Sequence, residues 1–326
     1  MATKTQVQIE LQPETLELFD RYHKYTGTSP ELYITELVEK TLPTVQAMVD
    51  AMDEASENPE GADVMEIFGR KMAEAALQQK QEATAALLDG VSVPTGAGWI
   101  TSIRDAAMAR VVDNGLPHRR DEYWKYTRPD TLTAQEVTPA APFDHGEAPM
   151  FDEIDRLKVV FVDGIFDADL SDDLEGEGFT IECLSDIISK DIHWAKDFYG
   201  QLEANGQTPV QRPLAALNTA LAEDGIVIRV TDKVTRPVSF IYKHEDANSD
   251  AILHHVIKLE EGASLTLLEN GPAAARFNKV LEVDVADKAE FHHVRAQGRD
   301  HERRAATHIF GRIGAESVFK SFTLTV

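Results

Sequence analysis

Residues Gly225–Asn270 read GIVIRVTDKVTRPVSFIYKHEDANSDAILHHVIKLEEGASLTLLEN. Within this stretch apolar runs begin at Ile226, Val238, Ile252 and Leu265, with Asp, Asn or Gly turns between them. The rhythm continues downstream, with further runs from Phe277, Phe291, Thr307 and Val318 at intervals of roughly twelve to sixteen residues. No helix-length apolar period interrupts them. Short strands so evenly spaced predict a coil of stacked strands, either a parallel β-helix or a jelly-roll barrel; periodicity does not choose between the two. The chain stops inside SVFKSFTLTV with Phe322, Leu324 and Val326 apolar. An uncapped last rung is therefore expected to expose a sticky surface, through an incomplete chain or a partner that supplies the next rung.

Upstream the character is mixed. Val159–Val162 reads as a buried strand and Ser185–Glu203 as a short helical region; Pro139–Pro149 is a proline-rich connector. Trp99–Val112 places Ile100, Ile103, Ala107 and Val111 at helical spacing, and the alanine- and glutamine-rich run from Met72 to Leu88 favours a second helix. Between the proline connector and these helices lies GLPHRRDEYWKYTRPD, Gly115–Asp130. Arg119, Arg120 and Lys125 here alternate with Tyr123, Trp124 and Tyr126, so charge and flat aromatic area share one short element. It reads as a structural latch or partner-facing anchor in preference to a ligand site, with Trp124 and Tyr126 as packing anchors and Arg120 paired with Glu122.

Further towards the N-terminus, TQVQIEL (residues 5–11) alternates polar with apolar like a short strand. Pro13 opens a helix that Gly27 ends, and Ser29-Pro30 restarts one that runs to about Pro43. Strand, helix, turn and helix over residues 1–50 resemble a ribbon–helix–helix module, whose outward strand residues would be Gln6, Gln8 and Glu10. Such a unit would self-associate through its strand. MDEASENPEG, from residue 52, reads as a helix end entering a polar linker.

Composition narrows the function classes. A net charge of −24 argues against nucleic acid and against anionic membrane surfaces as partners. No run approaches a membrane span, and no signal peptide is evident. Cys183 is the only cysteine, so no internal disulfide or cysteine-built metal centre is available within one chain, and a cytoplasmic setting is expected. In FTIECLSDI it reads as a buried, inert thiol. Two histidine pairs, His254-His255 and His292-His293, invite a metal reading. Neighbours on a strand face opposite ways, so neither pair can place both rings on one ion. One histidine from each pair could converge, with Glu269 or His308, but solvated or core-satisfied histidines are the commoner outcome. GxxxxGK[ST], GxSxG, HExxH and CxxC are all absent. No catalytic residue and no metal ligand is assigned, and the chain reads as a non-enzyme.

GLPHRRDEYWKYT, VVFVDGIFDADLS (Val159–Ser171), PLAALNTALAEDGIVIRV (Pro213–Val230), EGASLTLLE (Glu261–Glu269) and FNKVLEVDVADKAEFHHVRAQ (Phe277–Gln297) share a further property. In that order they resemble the SufB/SufD scaffold family of iron–sulfur cluster assembly, and its SufD branch in particular, from about Met72 to Val326. The resemblance implies an α+β multidomain chain, its N-terminal helical regions followed by a right-handed parallel β-helix, here incomplete. The implied division is a ribbon–helix–helix-like module over 1–55, a linker over 56–71, a helical domain over 72–150, an α/β connecting region over 151–223 and a partial β-helix core over 224–326. It implies a scaffold subunit of a SufBCD complex, partnered by SufB and SufC homologues. Arg119, Arg120, Glu122, Trp124, Lys125 and Tyr126 form the family-like structural or partner motif. No cofactor is expected on this chain alone; an iron–sulfur cluster, and a flavin if any, would belong to the assembled complex. Two other classes remain open on the residues: a dimeric ribbon–helix–helix regulator with a ligand-sensing β-domain, and a metal-dependent cupin-type enzyme.

Overall fold

The computed structural model describes residues 9–57, 63–119, 121–142, 150–271, 273–297 and 302–325. The chain divides into two compact units, residues 1–79 and 80–326. Among the described residues no helix is long and apolar enough to cross a membrane.

The first unit is helical. Helix α1 (Pro13–Thr26) ends as expected on Gly27, whose left-handed φ of 75° costs a Cβ-free residue nothing. Helix α2 (Pro30–Glu57) starts on a serine cap, Ser29 Oγ accepting the Leu32 amide at 3.2 Å. It does not stop at Pro43. A proline forfeits one helical hydrogen bond, but the turns beyond it bury Ala47 and Ala51, and the helix continues to Glu57. The expected polar linker is thus helix as far as that residue. Helix α3 (Val64–Leu87) begins before Met72 and spans the boundary between the units. Most of the expected ribbon strand lies outside the described residues, and Ile9–Gln12 carry no strand pairing.

In the second unit, α4 (Gly98–Asn114) is followed by a 3-10 turn at Glu122–Trp124 and by α5 (Asp130–Thr133). Strands β1 (Leu157–Val162), β2 (Ile165–Asp167) and β3 (Phe179–Cys183) come next. The short helices α6 (Leu184–Ile187), α7 (Gln201–Asn205) and α8 (Pro213–Leu221) lead into the strand coil. That coil comprises β4 (Ile226–Val230), β5 (Val238–Lys243), β6 (Asp250–Leu259), β7 (Ser264–Asn270), β8 (Arg276–Val285), β9 (Glu290–Gln297), β10 (Arg304–Ile313) and β11 (Val318–Thr325). Each expected apolar run lies in one of these strands.

The strands alternate between two sheets, ordered β11-β9-β7-β5-β1-β2 and β10-β8-β6-β4-β3. From β4 onward every pairing is parallel, as are β1 with β5; only the β1–β2 and β3–β4 pairs run antiparallel. Columns of stacked residues climb the coil: Val227, Val256, Glu282 and Phe310 in one sheet, and Val238, Leu267, His293 and Ser321 in the other. Parallel pairing of every strand from β4 onward excludes the antiparallel jelly roll, and with it the cupin-type barrel. The chain is a parallel β-solenoid behind N-terminal helices.

The turns repeat with the strands. Gly262, Lys288 and Glu316 each adopt a left-handed φ, 73°, 58° and 56°, at the corner where the chain crosses between sheets. Gly225 is needed for a different reason: a Cβ there would lie 1.9 Å from the backbone oxygen of His254. The interior between the sheets is filled by inward residues such as Phe161, Ile228, Phe240, Leu253, Leu267, Leu281 and Phe291. Helices α4 and α8 cover one outer face. Asn218 on α8 donates to the carbonyls of Leu253 (3.0 Å) and Asn278 (2.9 Å), riveting that helix to two successive rungs. Among the described residues β10 pairs with β8 and β11 with β9, and Ile309, Ile313, Phe322 and Leu324 are exposed.

Candidate functional site

Strand alternation sets the chemistry of the solenoid interior. On β7, Leu265 and Leu267 point inward, so Glu269 does too; on β8 the inward series is Phe277, Lys279, Leu281. On β9 it is Phe291, then His293. The result is a buried polar row along the coil axis, one member or more per rung.

Glu269 is its centre and is completely buried. Lys279 Nζ lies 2.5 Å from its carboxylate, Tyr242 Oη donates to Oε1 at 2.9 Å, and His293 Nε2 meets Oε2 at 3.0 Å. Arg295, stacked beside Glu269 in the register, approaches to 4.0 Å and donates to Thr307 Oγ1 at 2.6 Å. Hydrogen-bond directions follow from these contacts. The Ile226 amide donates to His255 Nδ1 at 3.0 Å, so the proton of that ring sits on Nε2 and faces Tyr242 Oη at 3.2 Å. The phenol passes the polarity on to Glu269. His293 Nε2 likewise carries a proton, leaving Nδ1 to meet Ser321 Oγ at 2.9 Å on the last rung.

Burial and charge decide the protonation states. Burial alone would raise Glu269, but Lys279, then His293 and Arg295, hold it well below the ordinary carboxylate range. Burial brings Lys279 down to about 8 despite the pull of Glu269, and Arg295 pushes the same way. Burial, with Lys279 beside it, takes His255 to about 3, so that ring is neutral. Burial next to Glu269 drives Tyr242 well above its usual range. The row is a buried anion held by an ammonium with a lowered pKa, and Tyr242 and His255 reach it as neutral donors.

His254 faces the other way, as alternation requires, under the helical layer. Its Nε2 lies 2.8 Å from Glu282, and its ring sits 4.2 Å from that of Tyr199. Glu282 also accepts the backbone amides of Gly200 (2.6 Å) and Glu203 (2.8 Å). Glu203 in turn meets Arg110 of α4 at 2.5 Å. This outer network fastens helices to sheet. One histidine of each pair, His255 and His293, does converge on Glu269, through Tyr242 in the first case. His308 does not join them; it stacks on Phe310, and burial followed by Arg212 lowers it to about 4. Among the described residues no group of three or more His, Cys, Asp or Glu is placed to hold a metal ion.

Cys183 ends β3, buried, and burial with Asp224 and Asp186 nearby pushes its thiol up to about 12. A thiol reagent at pH 8 should therefore label the folded protein at least a hundredfold more slowly than the urea-unfolded chain, by mass spectrometry.

The aromatic–cationic run departs from expectation in part. It is tied to the end of α3, Lys80 Nζ meeting Asp121 at 2.8 Å and the Leu116 amide donating to Thr84 Oγ1 at 2.7 Å. Trp124 packs against the Val111, Leu116 and Leu214 cluster as an anchor should. Tyr126 does not: it is 92% exposed, with Lys125 over its ring at 5.6 Å. The 3-10 turn points successive side chains in different directions, so alternating aromatics cannot all bury. Arg119 and Glu122 are exposed, Arg212 covers Tyr123 at 4.9 Å, and Arg120 with its expected pairing lies outside the described residues. Trp124→Ala should cost about 2 kcal/mol of stability and Tyr126→Ala less than about 0.5 kcal/mol in urea unfolding.

Two family models match consecutively: the SufBD protein N-terminal region over residues 94–239, and the SufBD core domain of the SUF iron–sulfur cluster assembly system over 240–326. The match starts at 94, so residues 72–93 lie outside it. No curated protein matches the chain. With the helical layer and the parallel solenoid falling in the matched residues, the chain belongs to the SufB/SufD family of SUF iron–sulfur cluster assembly.

Proposed function

We propose that the chain is the SufD-type member of this family, a scaffold without catalysis of its own that works with SufB-type and SufC-type partners. The observation that carries this reading is the GLPHRRDEYWKYT run, which fits the SufD pattern while turning Arg119, Lys125 and Tyr126 outward. An exposed tyrosine beside cationic side chains, on a run anchored from behind by Trp124, has the composition of a partner hot spot. The reading as a scaffold is supported by Cys183, a buried thiol whose pKa burial raises, which is unlike an activated nucleophile. Any cluster is cargo of the assembled complex.

Co-expression with tagged SufB-type and SufC-type proteins tests this. The chain should co-purify with them, and Tyr126→Ala should reduce recovery without lowering stability. Recovery of neither partner would overturn the proposal.

A further inference from the structure

Val38, Leu42, Val45, Val49 and Met52 follow one another along α2 at intervals of four, three, four and three residues. That spacing lays them in one stripe, at the a and d positions of a heptad repeat. Each is 45–55% exposed, while the other side of the helix buries Ala47 and Ala51. Among the described residues, Ile67 is the only further apolar side chain buried within residues 1–79. A helix in a protein owes most of its stability to packing of its apolar face, and these three buried side chains supply little of it. The stripe is an apolar surface that its own unit leaves uncovered.

The residues beside the stripe decide what can cover it. One edge, the e positions, carries Glu39, Gln46 and Asp53; the other, the g positions, carries Ile34, Thr41, Met48 and Ala55. One edge is acidic and the other uncharged. In a parallel pair of α2 helices each e edge lies along the g edge of the second copy. Glu39 then meets Ile34, Gln46 meets Thr41 and Asp53 meets Met48, so no like charges face each other. In an antiparallel pair the e edge runs along its own copy, which sets Glu39 against Asp53 at both ends of the stripe. A second copy laid parallel therefore matches the stripe and both of its edges at once.

We propose that two copies of the chain associate through α2, parallel and in register, along Val38, Leu42, Val45, Val49 and Met52. The surface is distinct from the expected strand of residues 5–11. It requires no SufB-type or SufC-type protein, so it stands apart from the scaffold reading.

Cross-linking of the whole chain tests this. In-register parallel helices bring position 38 against itself, whereas antiparallel helices oppose it to the far end of the stripe. Cys183, the sequence's only cysteine, is buried and leaves an introduced thiol as the reactive one. At about 100 µM protein under mild oxidation, Val38→Cys should form a disulfide dimer at least tenfold faster than Lys40→Cys, whose position is exposed on the other side of α2. Adding Val45→Asp to Val38→Cys should remove that advantage; Val45 is half exposed in the single chain, so the change spares its fold. Sedimentation of the unaltered chain should show a dimer fraction that rises between about 0.1 and 1 M NaCl, because salt screens the repulsion between two chains of charge −24 and leaves the apolar contact intact. Equal cross-linking at positions 38 and 40, cross-linking that survives Val45→Asp, or a monomer at both salt concentrations would each overturn the assignment.

Discussion

Replacing Glu269 by leucine should destabilise the protein by about 3–5 kcal/mol and lower its melting temperature on the order of 10 °C. The carboxylate is fully buried and, among the described residues, is the anion that pairs with Lys279 Nζ. Without it an ammonium group is left in the solenoid interior, and Tyr242 and His293 lose their acceptor. Lys279→Met should cost less, because Glu269 keeps two donors and can take up a proton. The double variant should be markedly more stable than the sum of the single losses predicts, since a buried pair replaced by apolar groups of similar volume is often neutral. A double-mutant cycle by urea denaturation measures this. Additive losses would mean that the two side chains do not interact as the structure shows.

The same pair has a pH signature. Lys279 titrates at about 8 in the folded protein against an ordinary 10.5. Between those values the unfolded chain binds more protons than the folded one, so this group adds stability as pH rises from about 8. In Glu269→Leu the lysine sheds its proton more easily, and the gain should begin at lower pH. The stability gap between variant and parent should therefore narrow from pH 6.5 to 9; a constant gap would show that Lys279 does not titrate in this range.

Glu282→Ala should cost about 3–4 kcal/mol by another route. Its carboxylate satisfies three buried donors, the amides of Gly200 and Glu203 and the ring of His254, and all three sit where the helical layer meets the sheet. Hydrogen exchange should accelerate around residues 200–205 while the amides of β7 and β9 stay protected. Glu282→Gln should recover only part of the loss, because an amide offers one acceptor oxygen and brings an NH₂ into a cluster of donors. Uniform acceleration across the solenoid would mean that this network does not fasten the layer locally.

How much of this could be read beforehand depends on the range of the interaction. Strand positions from Ile226 to Val318 were legible because apolar runs and turn residues are local signals. Parallel pairing did not follow from those local signals and came only from the family resemblance, since it is set by which runs stack, 26 to 29 residues apart in sequence, as Val227 with Val256 and Val256 with Glu282. Opposite facing of His254 and His255 followed from alternation alone. Extending that alternation would have found the polar row: Lys279 lies two residues from both Phe277 and Leu281, and Glu269 two from Leu267. A lysine or glutamate in a strand is ordinarily read as solvent-facing, which hid them. Helix α2 passed Pro43, and the turns beyond it bury the small side chains Ala47 and Ala51, which carry little apolar signal in the sequence. Tyr126 lies in the turn just past the 3-10 segment Glu122–Trp124 and faces solvent, a local geometry that composition does not specify.

Anaerobic reconstitution with iron and sulfide, followed by visible absorption, bears most directly on the view that this solenoid is a platform whose chemistry arises with companions. The purified chain alone should gain no cluster absorbance, while the complex with SufB-type and SufC-type partners should gain it. A chain that by itself takes up stoichiometric iron and sulfide and shows the cluster spectrum would contradict the account.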